Sequence, residues 1–209
     1  MTRTPKAKAW MVGALMAATL SADAASWKTG TTDNGRISVR SNISSQNVGG
    51  SEKTVIEYVA STVTEGISVE RYVSLFGDVA NHKRILNEKD VRVVSAASEP
   101  EKLLYYYFDA PWPVPDSDAV VRMVFTRDQA QSIYSLSAMP ARYPRQGVRR
   151  FELYDVTYAF KDLGNGKVEA TTTARVAPPI TIPSFMLSSA FPGAAADGLR
   201  NLVNLARGK

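Results

Sequence analysis

Residues 108–128 read FDAPWPVPDSDAVVRMVFTRD, and this stretch decides the fold. Tyr105-Tyr106-Tyr107-Phe108 is the end of a strand, and Ala119 to Thr126 is the body of the next. Between them stand the corner Pro111-Trp112-Pro113-Val114-Pro115 and the acidic turn Asp116-Ser117-Asp118. Each proline fixes φ near about −65° and removes a backbone donor. The corner is therefore a rigid extended bend, neither helix nor central strand. Trp112, held between two prolines, is expected to anchor that bend to the body of the fold. Arg122 sits in the middle of an otherwise apolar strand. It either faces solvent or points inward and needs a charged partner, for which Asp109 and Asp118 are the nearby candidates.

Strands precede and follow the corner. Arg36-Ile37-Ser38-Val39-Arg40 alternates as a half-buried strand does, Gln46 to Ser51 reads as a loop, and Thr54 to Thr64 is β-branched and long. Ser68 starts a helix, with Glu70 in its first turn, and a second short helix or turn covers Val79 to Leu86. Further strands are expected over Val91 to Ala96, Leu103 to Phe108, Ser132 to Ala138, Val148 to Phe160 and Val168 to Val176. Asn165-Gly166 is a hairpin turn between the last two. Ser184 to Arg207 reads as a closing helix with an apolar stripe of Ala195, Leu199, Leu202, Val203 and Ala206, interrupted at Phe191-Pro192-Gly193 by a kink or a short first helix. The expected class is α+β: a curved antiparallel sheet whose concave side is closed by one amphipathic helix. The space between them is either filled or open.

The chain has 209 residues, a net charge of +5 and no cysteine. Arg3, Lys6 and Lys8, the apolar run Ala9 to Leu20 and the small residues of Ala22-Asp23-Ala24 have the pattern of a secretory signal over residues 1–24. The expected mature domain is 25–209, exported and, by the look of the leader, periplasmic. Loss of Arg3, Lys6, Lys8 and Asp23 leaves it at +3, and no long basic run makes nucleic acid a partner. The absence of cysteine removes thiol catalysis, iron–sulfur sites and thiolate zinc. His82 is the one histidine and reads as a surface or packing residue, so a serine-type triad or a two-histidine metal site is not available. No dinucleotide or phosphate-binding loop occurs. No cofactor or metal is expected.

Aromatic residues crowd the strands and the corner: Tyr105, Tyr106, Tyr107, Phe108, Trp112, Phe125, Tyr134, Phe151, Tyr154, Tyr158 and Phe160. In a curled sheet half of these face inward. They make either a solid aromatic core or the wall of a ligand tunnel, where tyrosine offers an apolar ring and a polar tip.

Ala110-Pro111-Trp112-Pro113-Val114 to Asp118, followed by Val120-Val121-Arg122, resembles the motif of START domains, the steroidogenic-acute-regulatory-related lipid-transfer family of the helix-grip (SRPBCC) superfamily. Met139-Pro140 to Tyr143-Pro144 with Gly147-Val148-Arg149 is similar to that family's long loop before a strand. Ile182-Pro183-Ser184-Phe185 with Leu199-Arg200-Asn201-Leu202 is similar to its closing helix. Where the family usually has Arg before its Asp, this chain has Ser117.

The resemblance implies a helix-grip fold around an internal apolar cavity. It implies non-enzymatic binding of a lipid or other apolar molecule, with transfer as an extension of that binding. Carried onto this chain, it makes Arg122 the polar anchor, with Asp109, Tyr106, Trp112, Phe125, Tyr134 and Tyr154 around the ligand and Phe185 and Met186 at the lid. Arg142 and Arg145 beside Leu187 and Phe191 would suit transient contact with an anionic membrane. Two other classes stay open. One is a polyketide cyclase or aromatase in the same cavity, with Asp109, Tyr134 or Tyr154 as acid or base; the other is a periplasmic protein-interaction module.

Overall fold

The computed structural model describes residues 27–98, 100–109, 115–140, 143, 147–179, 182, 187 and 190–209. The leader segment, Trp112 and most of its corner, Arg142, Arg145, Phe185 and Met186 lie outside the described residues.

One sheet is built from β1 (Lys28–Thr32), β2 (Ile37–Val48), β3 (Ser51–Glu65), β4 (Asp90–Ser98), β5 (Glu101–Phe108), β6 (Ser117–Arg127), β7 (Ser132–Ala138), β8 (Arg149–Arg150), β9 (Leu153–Gly164) and β10 (Lys167–Ala177). The order across it is β1-β2-β3-β10-β9-β7-β6-β5-β4, every neighbouring pair antiparallel. The two residues of β8 pair in parallel with Ser117 and Asp118 of β6. Between β3 and β4 run α1 (Val69–Gly77), a 3-10 turn (Val79–Asn81) and α2 (His82–Leu86), and α3 (Gly193–Ala206) follows β10. This is the expected α+β helix-grip architecture.

Local chemistry explains the punctuation. Ser68 caps α1, its hydroxyl accepting from Arg71 N at 3.2 Å. Asn165 and Gly166 both take positive φ and close the β9–β10 hairpin. The loop expected over Gln46 to Ser51 shrinks to Gly49-Gly50, at φ 61° and 83°. Two residues free to take positive φ reverse the chain at once, so Val48 pairs directly with Ser51 and both strands run further than their alternation suggested. The strand expected over Val148 to Phe160 is divided, because Arg149-Arg150 leave the ladder to sit beside β6 where β7 has ended. The closing helix is interrupted at Phe191-Pro192 as expected: Leu187 and Ala190 are helical on one side and α3 begins at Gly193 on the other.

Strand periodicity sends Ala119, Val121, Met123 and Phe125 of β6 to the concave side, together with Tyr106 of β5 and Leu136 of β7. Asp118, Val120 and Arg122 go to the convex side. There the segment returning from β7 covers the first part of β6. Tyr143 lies against Tyr105, with ring centroids 4.8 Å apart, and Val120 is buried. Asp118 is fully buried and takes two hydrogen bonds of 2.8 Å from Nε and Nη2 of Arg150. A desolvated ion pair of this kind stabilises little over an apolar pair, but losing one partner strands the other charge.

Arg122 lies beyond this cover. Its side chain is 48 % exposed and meets Glu101 on the neighbouring strand at 2.9 Å. The inward, paired orientation is therefore corrected. Asp118 is engaged by Arg150, and Asp109 is exposed at the end of β5, 3.7 Å from Lys89. Arg122 cannot anchor a molecule inside the sheet, because residues of its parity on β6 face outward.

Candidate functional site

The concave surface has two halves. In the first, α1 and α3 press onto the sheet. Tyr72 stacks on Phe160 with centroids 5.0 Å apart and planes 6° from parallel. Phe76 touches Tyr134, Tyr158 and His82 at centroid distances of 5.2, 4.2 and 4.6 Å. Leu136, Leu199 and Leu202 are fully buried beside them. Two glycines set the spacing. A Cβ on Gly77 would lie 2.5 Å from Tyr134 Oη, and one on Gly198 would lie 2.5 Å from Tyr158 Oη. Only a residue without a side chain lets α1 and α3 come that close. Tyr134 donates to Val73 O at 3.0 Å, which ties the end of α1 to β7.

His82 belongs to this half and is fully buried. Its Nε2 is 2.6 Å from the carbonyl of Phe76, so Nε2 carries the hydrogen and donates. Nδ1 then accepts from the hydroxyl of Tyr106 at 2.7 Å. Burial pulls its pKa down to about 4, so the ring is neutral and structural. Of the two expectations for His82, packing is the one realised.

The second half is lined by Tyr58 of β3, Phe108 of β5, Phe151, Tyr154 of β9 and Phe191 ahead of α3. Phe108, Phe151 and Tyr154 form a triangle with centroid distances of 5.0, 5.5 and 5.7 Å, and Tyr58 meets Phe191 edge-on at 6.1 Å. Tyr58, Phe108, Phe151 and Phe191 all keep accessible surface. Yet desolvation pushes the phenol of Tyr58 up to about 12 and that of Tyr154 well above its usual value. Aromatic side chains that keep accessible surface therefore line this end of the concave face.

One acid is partly buried just beyond the end of α2. Glu88 follows Asn87, whose left-handed φ of 56° ends α2. It lies three residues beyond Ile85 and six beyond His82, the two buried residues of that helix. Glu88 is half-buried, and its charge acts on Tyr106, Tyr154 and Tyr158. Burial first, and Asp109 second, push its carboxyl up to about 8, so it is mostly protonated at neutral pH.

The expected site residues thus separate. Tyr106 and Tyr154 face the concave side and are buried: Tyr106 is tied to His82 of the packed half, and Tyr154 packs on Phe108 and Phe151. Tyr134 faces that side too but is committed to the packed half, and Phe125 lies against Tyr134 at 4.7 Å. Asp109 and Arg122 are outside, and Trp112, Phe185 and Met186 lie beyond the described residues. Glu88 and Tyr58 had not been singled out. Tyr58 shares a face of its strand with Ile56, Ala60 and Thr62, which was a usable signal, whereas Asn87-Glu88-Lys89-Asp90 looks like any solvated turn.

Two surface grooves lie nearby. The larger, of about 560 Å³, runs between β2–β3 and the end of α3. Its walls mix polar and apolar groups, Ile37, Val63 and Val203 among them, and Arg200 there is bound to Asp33 at 2.6 and 2.8 Å. The smaller, of about 280 Å³, has Val39, Ile43, Phe191 and Pro192 on its wall and lies against the open half. Phe191 lies on the wall of the smaller groove and also meets Tyr58 of the second half.

No protein-family model matches the sequence, and neither does any curated protein. Solved structures do match the fold. Human StAR-related lipid transfer protein 5 superposes with a TM-score of 0.71 at 15% identity, over 89% of this chain and 88% of that one. A STAR-related lipid transfer protein from Xanthomonas axonopodis gives 0.69 at 20% identity, over 87% of this chain and 99% of that one. The Zhui aromatase/cyclase from a Streptomyces species is more distant, at 0.53 and 8% identity over 73% of this chain and 94% of that one. The chain is a START-like domain in its fold.

Proposed function

We propose that this START-like domain binds one lipid or other apolar molecule in the space between the concave sheet and α3, without chemical conversion. The observation that carries the reading is the second half of the concave face, where Tyr58, Phe108, Phe151 and Phe191 keep accessible surface. Apolar walls with a few polar groups are the usual composition of small-molecule sites. Removing an apolar molecule from water drives the binding. The smaller groove beside Phe191 offers a route for exchange, and the interruption before Gly193 is where the chain can yield.

The leader pattern in residues 1–24 supports an exported, periplasmic protein. Transfer between membranes, with transient surface contact, extends the same reading. The test is native mass spectrometry of full-length protein purified without detergent, paired with analysis of the organic extract. The expected result is one apolar molecule per chain, recovered chemically unchanged. A converted product released on incubation would favour the cyclase-like alternative. Protein that stays bare and takes up no apolar molecule would sink both readings.

A further inference from the structure

The larger groove, of about 560 Å³, has the volume of a small-molecule site. Val203, Asn204 and Arg207, at the end of α3, form one wall; the turn between β1 and β2 and the strand β3 form the other. Asn204 stands about 16 Å along the helix from Gly193, where α3 begins. The groove is therefore remote from Phe191 and from the second half of the concave face.

Its chemistry is one-sided. Asp33 is the one acid on the wall, and both its oxygens accept from Arg200, at 2.6 and 2.8 Å. The remaining nitrogen of Arg200 donates to Asp197. That group is closed to a ligand, whereas Arg36 and Arg207 are open. Arg36 donates through Nε to the carbonyl of Asp33 at 3.0 Å, which leaves both its Nη groups without a described partner. The side chain of Arg207 makes no ion pair or hydrogen bond with any described residue, and both arginines are exposed. The last carbonyls of a helix repel an anion when they are bare. Here those of Val203, Asn204 and Leu205 accept from the backbone N–H groups of Arg207, Lys209 and Gly208. The groove thus offers donors and positive charge. Val63, 52 % exposed, adds apolar surface to it.

We propose that this groove binds a small organic phosphate, its phosphate held by Arg36 and Arg207 and its organic part laid on Val63. The two guanidinium groups come from opposite walls. A carboxylate presents two oxygens in one plane and is satisfied by one guanidinium fork. A phosphomonoester presents three oxygens in three directions and takes both. Soluble phosphomonoesters and phosphatidate head groups share this chemistry, and the experiment separates them. The site is independent of the apolar-ligand reading above, and either can fail alone.

The experiment is calorimetric titration of the full-length protein at pH 7 and low salt with phenyl phosphate, inorganic phosphate and benzoate, alongside sedimentation with vesicles of phosphatidylcholine carrying phosphatidate. Phenyl phosphate should bind one per chain, about fivefold tighter than inorganic phosphate through contact of its ring with Val63. Benzoate should bind at least about tenfold more weakly than phenyl phosphate, having no oxygen for the second arginine. Arg36→Gln and Arg207→Gln should each weaken phenyl phosphate about tenfold, the order expected for one charge-assisted hydrogen bond. The double variant should lose saturable binding. Both residues are exposed, so each variant should keep the urea midpoint of the unaltered protein. Vesicle binding that needs phosphatidate and is lost in the same variants, without binding of phenyl phosphate, would keep the phosphate and make a membrane its source. No binding of any phosphate or vesicle, benzoate or inorganic phosphate bound as tightly as phenyl phosphate, or binding unchanged by both substitutions would overturn the inference.

Discussion

The two halves of the concave face are made from the same kinds of residue and end in opposite states. Around Phe76, rings approach to 4.2 Å and glycine at 77 and 198 lets the helices close on tyrosine hydroxyls. Around Tyr154, rings stand 5.0–6.3 Å apart and several keep accessible surface. Among the described residues, α1 and α3 both pack on the first half, whereas Phe191, just before α3, reaches the second. Aromatic content alone therefore does not distinguish a core from a binding wall. What distinguishes them, among the described residues, is how closely α1 and α3 pack against the rings.

The largest test of this contrast is a pair of truncations. Phe76→Ala should cost about 3–5 kcal/mol, the usual loss for a buried aromatic with no room to relax. Phe151→Ala should cost only about 1–2 kcal/mol, because part of its surface is already free of protein contacts. Urea unfolding of both measures it, and equal losses would erase the distinction between the halves.

The halves should also respond oppositely to pH. His82 has a folded pKa of about 4 against 6.5 unfolded, so its contribution is complete above about pH 6.5 and is lost as pH falls toward 4, by about 3 kcal/mol. Glu88 has a folded pKa of about 8 against 4.5 unfolded, so its contribution is complete below about pH 4.5 and is lost as pH rises toward 8. Discounted for partial exposure, that loss is on the order of 2 kcal/mol. Stability differences between the unaltered protein and His82→Gln or Glu88→Gln, measured from pH 4 to 9, should slope in opposite directions. Parallel slopes would mean that the two groups are not buried as described.

The smallest effect is expected at Arg122, outside both halves. Arg122→Ala should cost less than about 1 kcal/mol in urea unfolding, as exposed ion pairs do, and leave the amount of apolar molecule recovered with the protein unchanged. A large loss of that molecule would put Arg122 back in the interior.

Arg122 also shows why part of the site was illegible. On most strands, one wet face and one dry face make the alternation readable. At β6 both faces of the first five residues are buried, the concave face by the core and the convex face by the segment carrying Tyr143 and Arg150. Apolar residues on both sides erase the period-2 signal, so the sequence did not show which parity faces inward. The same covering segment takes Asp118 as its own partner. Tyr106 and Tyr154 were legible as aromatic residues on curved strands. The partnership of Tyr106 with His82, 24 residues away, was not.

Near neighbours in the chain are enough to specify the run of strands, the cap at Ser68, the hairpin at Asn165-Gly166, the interruption at Phe191-Pro192 and the closing helix. Each depends on residues a few positions apart and on the φ values they tolerate. Packing between distant segments settles the rest: which half of the concave face stays open, which way Arg122 points, and which carboxyl is stripped of water. Those depend on what arrives from elsewhere in the chain, and desolvation is set by surrounding atoms rather than by neighbours in sequence. Glu88, unremarkable in its own turn, has its carboxyl pushed up by a burial that only the folded chain supplies.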